Sequence, residues 1–129
     1  MMPKILLVED ELQLSEIYSL SFQKSGFEVE TMKYGVQAKE RLKAIREGQE
    51  KSPDLIILDL ILPDMNGIEV LEEMKQYPQT KDIPCFVLTN YSDVNLERRS
   101  LALRADKFIL KTGCTPKELT EMVKERLAK

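Results

Sequence analysis

Four short runs of consecutive apolar residues, each closed by a polar one, constrain this chain's fold more than any other feature. They are Ile5 to Val8, Leu55 to Leu58, Cys85 to Leu88 and Phe108 to Leu110. Unbroken apolarity over so few residues fits a strand covered on both faces, as in a parallel sheet. Phe27, Val29 and Thr31 alternate instead with Glu28, Glu30 and Met32, the pattern of an edge strand.

Between these runs the apolar period becomes helical. Leu14, Ile17, Tyr18 and Phe22 share one predicted face, and Gly26 supplies a stop. Ala38, Leu42 and Ile45 repeat the pattern ahead of the polar stretch from Arg46 to Ser52. Val70, Leu71 and Met74 mark a shorter helix ending near Tyr77-Pro78, and Leu96 to Leu103 is only weakly periodic. Thr115-Pro116-Lys117-Glu118 combines a cap, a first-turn proline and a capping-box glutamate. Leu119, Met122, Val123 and Leu127 then form one apolar face. Strands alternating with helices predict a doubly wound α/β fold, (βα)₅, with helices on both faces of a parallel sheet. The edge-like second strand favours the flavodoxin-like order 2-1-3-4-5. In such sheets ligands bind beyond the carboxyl ends of the strands, at the switch point between strands 1 and 3.

The 129 residues suit a single domain spanning 1–129, and 43% apolar content is enough for a core. Net charge is −3, with both signs interspersed, so the basic footprint of a nucleic-acid binder is missing. No apolar run approaches the ~18 residues of a membrane span. The start, Met1 to Lys4 and then Ile5 to Val8, is too short and too quickly acidic for a signal peptide. Cys85 and Cys114 lack a CxxC pattern and fit a reducing cytoplasm. The chain contains no histidine, which removes the Ser-His-Asp and Cys-His arrangements and the usual zinc sites. Chemistry here rests on carboxylates, lysine, hydroxyls and a hard metal.

Those groups stand at the strand ends. Strand 1 ends in Glu9-Asp10 followed by Glu11, strand 3 in Asp59, strand 4 in Thr89 and strand 5 in Lys111. Polar residues after strands are often only helix caps, but four ends bearing these chemical types point to a site. Two carboxylates ~4 Å apart repel by about 4 kcal/mol at an effective dielectric of 20. A divalent cation relieves this, and oxygen ligands suit Mg²⁺. Asp10 and Asp59 are expected to ligate directly, with the backbone carbonyl near Ile61, and Glu9 through water. An aspartate carboxylate can act as nucleophile and form an acyl phosphate. Lys111 would offer a point charge, and Thr89 a hydroxyl, to phosphoryl oxygens.

From Lys4 to about Leu127 the chain resembles a response-regulator receiver domain. The matching stretches are Ile5 to Glu11, Leu55 to Asp59 continuing through Leu62-Pro63-Asp64-Met65-Asn66-Gly67, Val87-Leu88-Thr89, and Phe108 to Lys111. The resemblance implies that Glu9 and Asp10 form the acidic metal site and that Asp59 is the phosphoacceptor. It makes Thr89 the switch hydroxyl, Lys111 the phosphate-contacting lysine and Phe108 the switch aromatic, although an aromatic in a strand is more often plain core. It further implies a phosphohistidine donor on a partner histidine kinase or phosphotransfer protein. Phosphorylation would then draw Thr89 and Phe108 inward and change the surface of the fourth helix, last strand and last helix. A downstream protein would read that surface. The chain would be a signalling phosphoacceptor, acting alone or as part of a larger regulator. A receiver-like interaction module that no longer uses phosphate is the competing expectation.

The chain also departs from the family pattern. Thr112 follows Lys111 where many receivers carry a cis proline bond, so a different loop is expected to place the lysine. Asn90 follows Thr89 where a smaller residue is usual, which predicts a narrower entry. Arg104 replaces a common glycine, so the fourth helix is expected to end differently. Ile61 and Tyr91 lie where the family tunes dephosphorylation, and their bulk predicts a long-lived phosphoryl state. Arg98, Arg99, Arg104, Lys107, Glu118 and Glu121 form a mixed-charge surface, either solvated or offered to a partner or a second copy. Asn90-Tyr91-Ser92 is a formal glycosylation sequon, idle in a cytoplasmic protein.

Overall fold

The computed structural model describes residues 2–90 and 93–128. Strands and helices alternate: β1 Lys4–Val8, α1 Leu12–Lys24, β2 Glu28–Met32, α2 Gly35–Arg46, β3 Leu55–Leu58, α3 Gly67–Gln76, β4 Cys85–Thr89, α4 Val94–Ala102, β5 Lys107–Leu110 and α5 Pro116–Leu127. All strand pairs are parallel and the order is β2-β1-β3-β4-β5, as the apolar runs predict.

Side-chain alternation divides the core into two. Leu6, Val8, Ile56, Leu58, Cys85 and Val87 point to the face covered by α2 and α3. Ile5, Leu7, Leu55, Ile57, Phe86 and Leu88 point to the face covered by α1 and α5. The central runs Ile5 to Val8, Leu55 to Leu58 and Cys85 to Leu88 are therefore unbroken in apolarity because both faces are roofed. β5 is the other sheet edge, and Phe108, Ile109 and Leu110 are only partly buried there.

Two sequence expectations need correction. Ile17 does not join the core face of α1. It is 52% exposed, whereas Ser15, Tyr18 and Phe22 are buried. Positions 14, 18 and 22 recur every four residues and 15 lies beside them, so Ile17 is turned to solvent. The second correction is the end of α4. Arg104 does not change the stop. It adopts the left-handed conformation, φ +66°, as a glycine would. Its N–H donates to the Leu101 carbonyl at 2.9 Å, and that of Ala105 to Ser100 at 3.0 Å, the paired bonds of a Schellman motif. The same turn closes α1 at Gly26 and α2 at Gly48, where φ is +90° and +74°.

A Cβ in the left-handed region crowds the following carbonyl, by roughly 1–2 kcal/mol for most residues. Arg104→Gly is therefore expected to raise stability by about 0.5–1 kcal/mol. An increased urea midpoint with an unchanged slope would show it.

Candidate functional site

Leu58 pairs with Val8, so β1 and β3 leave the sheet side by side and deliver Glu9 and Asp59 to one rim. Backbone bonds fix both exits. The Glu9 N–H donates to Met32 O at 2.9 Å and the Asp59 N–H to Val8 O at 3.0 Å. Glu9 and Asp59 are each only 4% exposed. Glu9, Asp10 and Asp59 each offer one carboxylate oxygen, and the three oxygens lie within 4.8 Å of one another.

Lys111 arrives from the far side of the sheet. It opens a short 3₁₀ turn, Lys111–Gly113, after β5, with no cis peptide bond among the described residues. The different loop expected from Thr112 is thus present, and the lysine still reaches the pocket. Its Nζ donates to Asp59 Oδ2 at 2.9 Å and lies 2.6 Å from Glu9 Oε1. Oε1 is buried, and this ion pair is its contact among the described residues. Glu11 Oε1 accepts from the same ammonium at 3.3 Å. Asp59 Oδ1 accepts the Ile61 N–H at 3.0 Å.

Thr89 is fully buried and lines a cavity of about 230 Å³ with Asp10, Glu11, Asp59, Ile61 and Asn90. The fold thus gathers Glu9, Asp10, Asp59, Ile61, Thr89 and Lys111 at one place. Phe108 stands apart, partly buried against the core on the α2 and α3 side. Asn90 does border the entry, where its Nδ2 donates to Glu11 Oε1 at 3.4 Å. Tyr91 and Ser92, with the expectations attached to them, lie outside the described residues. Among the mixed-charge surface residues, Arg99 pairs with Glu72 at 3.1 Å and Glu118 caps α5 with Thr115.

Two loop features hold the Asp59 end of β3 in place. A Cβ on Gly67 would strike the Asp59 carbonyl oxygen and come within 2.8 Å of Leu60 Cα. Only glycine lets α3 begin this close to the acid, and its N–H donates to Leu60 O at 2.7 Å. Asp64 reaches across to α2, accepting from the N–H groups of Gly35 at 2.8 Å and Val36 at 2.9 Å. These helix-end bonds hold its carboxyl below the usual carboxylate range. The sequence reading missed this role because nothing local marks a carboxylate that caps a helix many residues upstream. It also gave Glu11 no task, since the partners Asn90 and Lys111 are remote in sequence.

Glu9, Glu11 and Asp59 share the Lys111 ammonium and Asp10 clusters with two of them, so among the described residues the pocket is over-supplied with negative charge. Burial pushes the Glu9 carboxyl from 4.5 up to about 7, against the pull of Lys111 and the Glu11 N–H. Burial would lower Lys111, but Glu9 and Asp59 outweigh it and raise its value. A buried oxygen without a hydrogen bond, among three clustered carboxylates, is a donor set that fits a hard divalent cation.

A doubly wound domain with an acid cluster at its β1/β3 switch point and a lysine inserted from β5 is the arrangement that the resemblance to a receiver domain implies. The sequence matches the response regulator receiver domain model over residues 5–124, and the chain belongs to that family. The phosphate regulon transcriptional regulatory protein PhoB of Rhizobium meliloti (strain 1021) is 40% identical over 127 residues. That match covers 98% of this chain and 53% of PhoB. The chain spans about half the length of such curated relatives. Among solved structures, a CheY-like receiver domain protein from Methanospirillum hungatei JF-1 superimposes with a TM-score of 0.84. It is 28% identical, over 99% of this chain and 95% of that one. The phosphorylated cyanobacterial phytochrome response regulator RcpA gives a TM-score of 0.82 at 33% identity, over 97% and 91%.

The raised Glu9 value makes a pH prediction. The folded protein keeps this proton where the unfolded chain has lost it, so the associated stability is complete below about 4.5 and lost as pH climbs through about 7. Urea midpoints in a chelator should fall between about pH 5 and 7.5 in the wild type, and Glu9→Gln should flatten that slope. Mg²⁺ at the upper pH should restore the wild-type midpoint.

Proposed function

We propose that residues 1–129 form one cytoplasmic receiver unit that takes a phosphoryl group on Asp59 from a phosphohistidine. The donor is carried by a histidine kinase or a histidine phosphotransfer protein. The observation that carries this reading is the placement of Asp59 between the acid cluster and the Lys111 ammonium, 2.9 Å from its Oδ2. The chain has no histidine of its own to serve as donor.

In this reading an Asp59 oxygen attacks phosphorus as the phosphorus–nitrogen bond of the donor breaks. An acyl phosphate forms and the imidazole leaves. Glu9, Asp10, Asp59 and the Ile61 carbonyl would hold Mg²⁺, which would supply charge neutralisation to the transferring group. Lys111 exchanges its carboxylate contacts for phosphoryl oxygens, and the Thr89 hydroxyl bonds another. Thr89 sits in register with Leu110, and Val87 with Phe108, so movement at Thr89 acts on β5 directly. Phe108 relays the change to the α4–β5–α5 surface, where a downstream protein or a second copy of this chain binds. The half-length match to PhoB favours a second setting for the same chemistry, as the receiver part of a longer regulator.

Acetyl phosphate with Mg²⁺ should add one phosphoryl group to the wild type, seen by intact mass and lost on hydroxylamine treatment. Asp59→Asn should show no gain, and Lys111→Met should slow it on the order of a hundredfold, the usual cost of removing one charge-stabilising donor. Labelling of Asp59→Asn at the wild-type rate would refute the assignment.

A further inference from the structure

Of the three carboxylates that contact Lys111, Glu11 is the one that the proposed transfer does not use. Its backbone is anchored, with its N–H donating to Glu9 Oε2 at 3.1 Å. Its side chain is half exposed and turns over the pocket. There Oε1 accepts from Asn90 Nδ2 at 3.4 Å and from Lys111 Nζ at 3.3 Å. One carboxylate oxygen thus bridges the loops after β1 and β4 and the end of β5. It does so across the cavity that Asp59, Thr89 and Ile61 line from below.

This position conflicts with a phosphoryl group. Lys111 Nζ already bonds Asp59 Oδ2, so a phosphoryl group on Asp59 brings its oxygens to the ammonium that Glu11 holds. Two anions in one place repel, and the looser one moves. Glu11 is the looser, because Glu9 and Asp59 are buried and more tightly held. Before transfer the same carboxylate presents negative charge to any anion approaching the mouth, and Asn90 holds it there.

We propose that Glu11 determines donor specificity, as a displaceable anionic bar that disfavours small free phosphodonors and yields only when a phosphoryl group reaches Lys111. The inference rests on the phosphoacceptor reading of Asp59. A free donor must enter against this charge unaided, whereas a protein-borne phosphohistidine is pressed into the pocket by its carrier's docking contacts. In transfer from phosphoramidate, the Asp59 oxygen–phosphorus bond forms as the phosphorus–nitrogen bond breaks. The amine leaves as ammonia with the protons it carries. With acetyl phosphate the bond that breaks is phosphorus–oxygen, and acetate leaves.

The test compares the wild-type chain with Glu11→Gln, which keeps the shape and the acceptor oxygen but removes the charge. Phosphorylation rates are measured by intact mass at saturating Mg²⁺ with phosphoramidate, a monoanion, and acetyl phosphate, a dianion. The second-order rate constant of Glu11→Gln should rise about three- to tenfold with acetyl phosphate and by less with phosphoramidate, the order that donor charge dictates. Raising the salt from about 20 to 300 mM should shrink the gain, since a half-exposed charge is screened. Matching thermal midpoints establish that folding is unaffected, as expected for one half-exposed pair. Equal rate constants in the two proteins, or a gain indifferent to donor charge and salt, overturn the role of Glu11 while leaving Asp59 as acceptor. Absence of labelling in both proteins overturns the phosphoacceptor reading itself.

Discussion

One ammonium group organises this site. Lys111 reaches from the end of β5 and touches three carboxylates that originate in two other strands and a loop. A buried lysine needs charged partners, and buried carboxylates need a cation, so neither set is tolerable alone. The match is deliberately uneven. Lys111 hydrogen-bonds Asp59 and forms an ion pair with Glu9, while Asp10 adds a further carboxylate to the cluster. That remaining negative charge, on three carboxylates whose oxygens lie within 4.8 Å of one another, is a donor set that fits a hard cation.

The sheet converts this electrostatic demand into fixed geometry. β1 and β3 are neighbours only because the order reverses at that point, so their terminal acids emerge together without any loop having to bring them. Leu7, Val8, Ile57 and Leu58 beneath them are at most 1% exposed, which denies the acids room to separate. Gly67 and Asp64 finish the task on the loop side. The first lets α3 press against the Asp59 backbone, and the second pins the loop to the start of α2.

Much of this was legible in the sequence because strand cores and strand ends are local signals. The uniformly apolar runs gave the central strands, the alternating segment gave an edge, and the polar residue closing each run named the site. What could not be read depends on contacts between distant residues. Ile17 fits an apolar helical period as well as Ser15 does, and only the sheet beneath decides which faces inward. Arg104 breaks the composition rule for a helix stop, yet the flanking Leu101 and Ser100 carbonyls still impose the turn that glycine would take. Glu11 and Asp64 were visible as acids, but their partners lie in other loops, and periodicity says nothing about those.

Glu9 and Glu11 show how burial sorts identical chemistry into different duties. They sit two positions apart and contact the same ammonium. Glu9 is sealed, so desolvation governs it. Its charge is costly, and its carboxyl value climbs to about 7. Glu11 is half in water, so solvent screens its pairing and releasing it costs little. A sealed carboxylate is suited to setting the energy of the resting pocket, and a solvated one to moving aside. Two positions along the backbone are enough to place a buried acid and a half-exposed one on either side of Asp10.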